Sequence, residues 1–197
     1  MNDLKRCVKA DRLASYVRLK GGFPIPLAGA VYWAVLAYVG YTQDLWVWLK
    51  IAVWGSGLIF PLALFFAWLF RIRFMSDRTS VSDVLAPTLI SMFLFWPMLA
   101  AALPVAPELA SLILAIGMSL HWPVIGWSYG RTYLYTAHAV VRAVVVFVIW
   151  NCMPEARLTL LPLSVCLIYL ATIVAILADQ LMMALFNRAG QPLADIA

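Results

Sequence analysis

Charge is what this sequence has least of. Only 12% of its 197 residues are Asp, Glu, Lys or Arg, while 65% are hydrophobic and the mean hydropathy is +0.93. Soluble domains carry roughly 25% charged residues. A soluble chain of this length has too little interior to hide so much apolar surface, so a water-soluble fold is excluded. Cysteine is also sparse. Cys7, Cys152 and Cys166 lie far apart with no CxxC spacing, which leaves no basis for a disulfide framework or a cysteine metal site. No H-E-x-x-H, G-x-S-x-G or P-loop pattern occurs, so the motif-based hydrolase and nucleotide-binding chemistries have no footing. The first twenty or so residues are polar and charged, and no small-residue cleavage site follows the first apolar run. No cleavable signal peptide is therefore expected.

What is present is apolar sequence in long runs. A span needs about 20 mostly apolar residues to cross a core of about 30 Å. Six stretches qualify: Phe23–Tyr41, Trp46–Phe70, Val84–Leu103, Glu108–Trp127, Thr132–Asn151 and Leu158–Phe186. The fold class expected is an all-α transmembrane bundle of about six spans. A basic interfacial segment over 1–21 precedes the membrane domain over 22–187, and a short tail follows over 188–197. Pro104 and Pro107 disfavour helix continuation between the third and fourth spans and predict a tight hairpin there.

The net charge of +5 does not imply nucleic acid as a partner, because the positive charges sit beside the spans. Eleven of the fourteen Lys and Arg fall on one side of the six-span layout, in the N-terminal segment, at Arg71, Arg73 and Arg78, at Arg131 and at Arg188. Lys50 and Arg157 fall on the other side, and Arg142 lies within a span. The positive-inside rule makes the rich side cytoplasmic, with both termini there. The N-terminal segment also has a helical pattern. Leu4, Cys7, Val8, Ala10 and Ala14 fall on one side and Lys5, Arg6, Lys9 and Arg12 on the other, as in a helix lying on anionic lipid. Tyr38, Tyr41, Trp46, Trp48, Trp127, Tyr129, Tyr133 and Tyr135 are expected at headgroup depth.

Ionisable residues inside spans are costly and point to a function or a partner. They are His121 in span four, His138 and Arg142 in span five, and Asp179 in span six. Counted from the span ends at about 1.5 Å per residue, His121, His138 and Asp179 lie about 9–11 Å below the cytoplasmic interface. Arg142 lies deeper. Arg131, Tyr135, His138 and Arg142 recur at +4, +3 and +4, which places them in one helical stripe. Thr172, Ala175 and Asp179 offer a small, polar face on span six, and Asp179 is the expected counter-ion of Arg142 or of protonated His138.

Prolines at 61, 87, 97, 123 and 162 predict kinks, and Gly55-Ser56-Gly57 permits a bend in span two. Met92-Phe-Leu-Phe-Trp-Pro97 and Met118-Ser-Leu-His-Trp-Pro123 are alike, but they do not pair as an inverted repeat would, and chance similarity accounts for them.

The stretch Ser119-Leu-His121-Trp-Pro123-Val-Ile-Gly126-Trp127-Ser-Tyr129-Gly-Arg131-Thr-Tyr133, with Phe60-Pro-Leu-Ala63 before it, resembles a family of small bacterial multi-pass membrane proteins defined only as a domain of unknown function. The resemblance covers residues 20–150. It implies a bacterial inner-membrane setting and no transferable activity.

Three functions remain. The leading one is binding or transport of a small polar or anionic solute through a cytoplasm-facing pocket. Its lining would be Arg131, Tyr135, His138, Arg142, His121 and Asp179. The second is a non-catalytic scaffold or partner subunit held by an intramembrane ion pair, and the third is an intramembrane lipid-modifying enzyme. The partners expected are the lipid bilayer, the ligand and a second copy of the chain. No metal or cofactor is expected. A haem between His121 and His138 is disfavoured, because helices joined by a tight turn pack about 8–10 Å apart and leave little room for it. The charge count yields a direct test. A reporter active only outside the cytoplasm should be active when fused after Ala106 and inactive after Gly130; the reverse pattern would overturn the orientation.

Overall fold

The computed structural model describes residues 2–73, 76–79 and 82–188. Residues 189–197 of the expected C-terminal tail lie outside them. Among the described residues the architecture is all-α, without a strand. The helices are α1 (Asn2–Arg18), α2 (Pro24–Thr42), α3 (Leu45–Ser56), α4 (Ile59–Leu69), α5 (Leu85–Phe93), α6 (Trp96–Ala102), α7 (Leu109–Gly117), α8 (Trp122–Ser128), α9 (Thr132–Cys152) and α10 (Arg157–Arg188). Five segments are long and apolar enough to cross a membrane. A sixth results if α3 and α4, bent by 53°, count as one.

The bend falls at Gly57-Leu58, next to the Gly-Ser-Gly run, where glycine's poor helix propensity weakens the ladder. The two Trp-Pro pieces are one local device used twice. In each a span breaks, and a new helix starts with Trp followed by Pro in its first turn, at α6 and at α8. Proline suits that position because its missing N–H has no helical acceptor to lose there. Their similarity is therefore structural, contrary to the sequence expectation.

The core is built on α2 and α10. Helix α2 buries Ala30, Trp33, Leu36 and Ala37, and α10 buries Leu161, Val165, Tyr169, Thr172, Ile176 and Met183. Gly40 of α2 sits against the Leu158 carbonyl, and a Cβ there would overlap it. The buried stripe of α10 runs through Tyr169, Thr172, Ile176 and Met183, whereas Ala175 is exposed. Of the small, polar face expected, Thr172 is in the packing face and Asp179 is half-buried beside it, but Ala175 is not.

The first helix turns into α2 through Lys20-Gly21-Gly22, all three left-handed with φ of 49°, 65° and 64°. Glycine adopts this region freely and other residues pay for it. This turn sits beneath the end of the bundle. The Gly21 carbonyl accepts from the Tyr135 hydroxyl, and Gln180 Nε2 donates to the Tyr16 carbonyl at 2.9 Å. Ser15 Oγ and Arg18 Nε donate to Asp77 at 2.5 and 2.8 Å. The α1–α2 turn, the α4–α5 connection, the α8–α9 turn and the last turns of α10 therefore meet at one end. This is the end where the sequence concentrates its Lys and Arg.

Helix α1 forms as expected, but it docks by Leu13, Ser15, Tyr16 and Leu19 and leaves Leu4, Cys7, Ala10 and Ala14 exposed. The aromatic belt also needs correcting. Tyr38, Tyr41, Trp46 and Tyr133 are exposed, but Trp48, Tyr129 and Tyr135 are core. Trp48 Nε1 reaches the Leu36 carbonyl at 3.0 Å, so packing between α2 and α3 takes precedence over interface preference.

Gly21→Ala tests the turn. The left-handed backbone alone should cost about 1–2 kcal/mol, and the added Cβ meets Ile176 and Tyr16. The expected result is a clearly lowered melting temperature of the purified protein in detergent. An unchanged melt would contradict the role given to this turn.

Candidate functional site

The face of α9 expected to be polar is its buried face. Tyr135, His138, Arg142 and Val146 are the buried residues of that helix, and Arg131 caps its start. The +3/+4 spacing turns these side chains inward, against α8, α10 and α2.

Arg142 is fully buried. Its Nη1 donates to the Tyr169 hydroxyl at 2.7 Å, and its guanidinium lies 5.1 Å from the ring centres of Trp33 and Tyr169. Aromatic faces attract a cation most strongly where both are desolvated. Its Nε and Nη2 have no hydrogen-bond partner among the described residues. Asp179 is not its counter-ion. It accepts from Arg131 Nε at 2.8 Å, in the same small cluster as Met183, whose sulfur lies 2.9 Å from Arg131 Nη2.

Helix length explains the difference. At about 1.5 Å per residue, the 32 residues of α10 extend well beyond the about 30 Å of a hydrocarbon core. Asp179 thus lies level with the α8–α9 turn, rather than at the depth of Arg142. The ring of Tyr16 covers the pair, 5.4 Å from the Arg131 guanidinium. Burial, then the Asp179 charge, hold the Tyr16 phenol above its ordinary range.

The two histidines approach one tryptophan. Trp122 lies 4.5 Å from the ring centre of His138 and 5.6 Å from that of His121. His138 Nδ1 is 2.7 Å from Thr172 Oγ1. That hydroxyl gives its own hydrogen to the Ile168 carbonyl at 2.8 Å, so Nδ1 must be the N–H donor. Nε2 of the neutral ring then carries the bare lone pair, and it has no partner among the described residues. His121 precedes α8 in the break of its span, with its Nδ1 likewise buried and unpartnered.

Counting Trp33 Nε1 and Trp122 Nε1, six nitrogens of this cluster are buried without a partner. Four of the six are donors, Arg142 Nε and Nη2 and the two indole nitrogens, against the single lone pair of His138 Nε2, and carboxylates are absent from the contacts of Arg142 and His138 given above. Native structures leave few buried polar groups unsatisfied, and those that remain need an explanation.

Rings connect this centre to the end of the bundle. Tyr16 and Tyr129 are 5.8 Å apart, Tyr129 and Tyr135 5.9 Å, and Tyr135 and Trp122 5.7 Å. Trp122 then meets His138 and Tyr169, which are 4.8 Å apart. The structure thus joins His121, Tyr135, His138 and Arg142 through Trp122 and Tyr169 and sets Arg131 and Asp179 apart as a pair nearer the end. Sequence reasoning missed Trp33, Trp122 and Tyr169. For Tyr169 a signal existed, since Tyr169, Thr172, Ile176, Asp179 and Met183 follow the same +3/+4 rhythm as α9.

The fold and this core define a helical membrane protein. The model of DUF7010, a family of unknown function, matches residues 8–179, and the chain belongs to that family. The matched region contains all six expected site residues and extends past the stretch over which the resemblance was read. No curated protein and no solved structure matches the chain.

The Arg131–Asp179 pair, with side chains 11% and 24% exposed, should show coupling in a double-mutant cycle of alanine substitutions. The expected coupling is about 1–2 kcal/mol. Additive losses would show that the pair contributes only through its separate contacts. Tyr169→Phe removes the one side-chain hydrogen bond that Arg142 makes among the described residues and should cost about 1.5–3 kcal/mol, the usual range for a bond to a charged group, read as a lowered unfolding midpoint.

Proposed function

We propose that this protein binds a small anion at Arg142, as the cargo or ligand of an inner-membrane protein with both termini in the cytoplasm. The observation that carries the reading is the donor imbalance. A fully buried guanidinium has two unused nitrogens, the indole N–H groups of Trp33 and Trp122 add two more, and no carboxylate among the described residues pairs with it. A scaffold needs the reverse, a polar cluster whose members satisfy one another, as Arg131 and Asp179 do.

Arg142 supplies the charge and His138 the adjustable partner. In its neutral form His138 offers a lone pair at Nε2, and a proton taken up there turns it into a second donor facing the anion. Thr172 fixes the ring in that orientation. Trp122 supplies a further N–H group, and Tyr135 marks the route from the end of the bundle. Two clefts open at that end, and neither is lined by Arg142 or His138. Arg142 and His138 are themselves buried, so on this reading the ring ladder, with the Arg131–Asp179 pair above it, parts to admit a ligand. The breaks before Trp96 and Trp122 and the bend between α3 and α4 give the spans points at which to move.

A thermal-shift panel of halide, formate, acetate, bicarbonate, sulfate and phosphate tests this directly. One anion should stabilise the wild type, by about 2.7 kcal/mol at a hundredfold excess over its dissociation constant. It should have little effect on Arg142→Lys, which keeps the charge but loses the fork, or on His138→Gln. Shifts of equal size in all three proteins, or none in the wild type, would overturn the proposal.

A further inference from the structure

A basic cleft separate from Arg142 lies at the end of the bundle where α1 ends. Arg18, Leu19, Arg71, Arg73, Ser76 and Asp77 line a cleft of about 340 Å³. Three guanidiniums meet there, with a single carboxylate among the lining residues. That carboxylate is already used, by Arg18 and by Ser15 at 2.8 and 2.5 Å. The side chains of Arg71 and Arg73 are exposed and make no ion pair among the described residues. The cleft therefore keeps about two positive charges uncompensated.

The backbone at Arg71 adds an independent observation. Helix α4 ends in a glycine-type stop: Ile72 N–H returns to the Ala67 carbonyl at 2.7 Å, Arg71 N–H to that of Trp68 at 3.0 Å, and Ile72 is buried beneath them. This double return needs a left-handed residue in the middle, normally glycine. Here it is Arg71, with φ of 56°. A non-glycine residue is strained in that region, so the position keeps a guanidinium at a cost to the fold. Trp68, Leu69 and Phe70, immediately before it, are exposed apolar residues of 73%, 52% and 40%. They stand where acyl chains would lie.

We infer that this cleft holds a phosphate group, with Arg71 and Arg73 as its principal ligands and Arg18 held ready by Asp77. Guanidinium forks match phosphate oxygens in pairs, and two uncompensated charges match a phosphate monoester. Two sources share that chemistry, the headgroup of an anionic lipid such as phosphatidate and a soluble phosphate ester. The apolar wall beside Arg71 suits the lipid.

The test compares the purified full chain with Arg71→Gly and with Arg71→Gly/Arg73→Gln. Native mass spectrometry in detergent reads retention of phosphatidate against phosphatidylcholine, and a melt reads the effect of glycerol phosphate. Arg71→Gly relieves the strained φ, so its melting temperature should hold or rise, and lost binding cannot be blamed on misfolding. Wild type should prefer phosphatidate, and the double variant should lose that preference by roughly tenfold or more. Preference for phosphatidate alone places the site on lipid. Competition by glycerol phosphate places it on soluble esters, and either result upholds a phosphate site. A preference equal in all three proteins, or absent from the wild type, would overturn it.

Discussion

A guanidinium at the centre of an apolar bundle is the constraint that orders the rest. Removing an ion from water costs several kcal/mol even after the protein relaxes, and a bilayer offers nothing in return. Arg142 meets that cost with one phenol oxygen and two ring faces. These come from α2 and α10, while Arg142 itself is on α9, so the three helices are fixed to one another around the charge. Trp122 closes the fourth side from α8 through its contacts with His138 and Tyr169. Such an arrangement attenuates the charge without cancelling it, and the unused nitrogens measure what is left over. An anion is the simplest complement to that remainder.

The end of the bundle is built on different terms. There Arg18 and Arg131 are paired with Asp77 and Asp179, Arg71 and Arg73 are exposed, and side chains fasten the chain turns to one another. The left-handed Lys20-Gly21-Gly22 turn lets α1 fold back beneath Tyr135 and Gln180. Asp77 draws the α4–α5 connection to the same helix. The first helix therefore acts as a collar, touching the parts that would have to separate for the interior to open. Of the two proposed sites, the cleft beside Arg71 adjoins that collar, whereas Arg142 lies beneath the ring ladder that begins at Tyr16.

How much of this was legible follows from what a one-dimensional pattern encodes. The α9 stripe of Arg131, Tyr135, His138 and Arg142 could be read because helical periodicity alone decides which residues share a face. The span count could be read from length and hydropathy, and the Gly-Ser-Gly bend from propensity. The partner of Asp179 could not, because it depends on how far α10 runs past the hydrocarbon, and 32 residues of unbroken helix carry no internal mark of depth. Trp48, Tyr129 and Tyr135 looked like belt residues because an aromatic near a span end fits either an interface or a core, and only packing decides. The pattern of α1 gave an apolar side at Leu4, Cys7, Ala10 and Ala14, which is left exposed, but it did not mark the docking residues Leu13 and Tyr16, which are set by the turn that follows. The two Trp-Pro breaks were visible as a repeated string, but their meaning depends on seeing the helix stop before each one.

The most direct measurement of the central claim is anomalous diffraction from crystals grown or soaked in bromide. The account predicts a peak within hydrogen-bond reach of the Arg142 guanidinium, on the side of Nε and Nη2 and bordered by His138. Ordered water on those nitrogens with no anomalous peak, while bromide occupies other sites on the protein, would contradict it and make Arg142 a packing element alone.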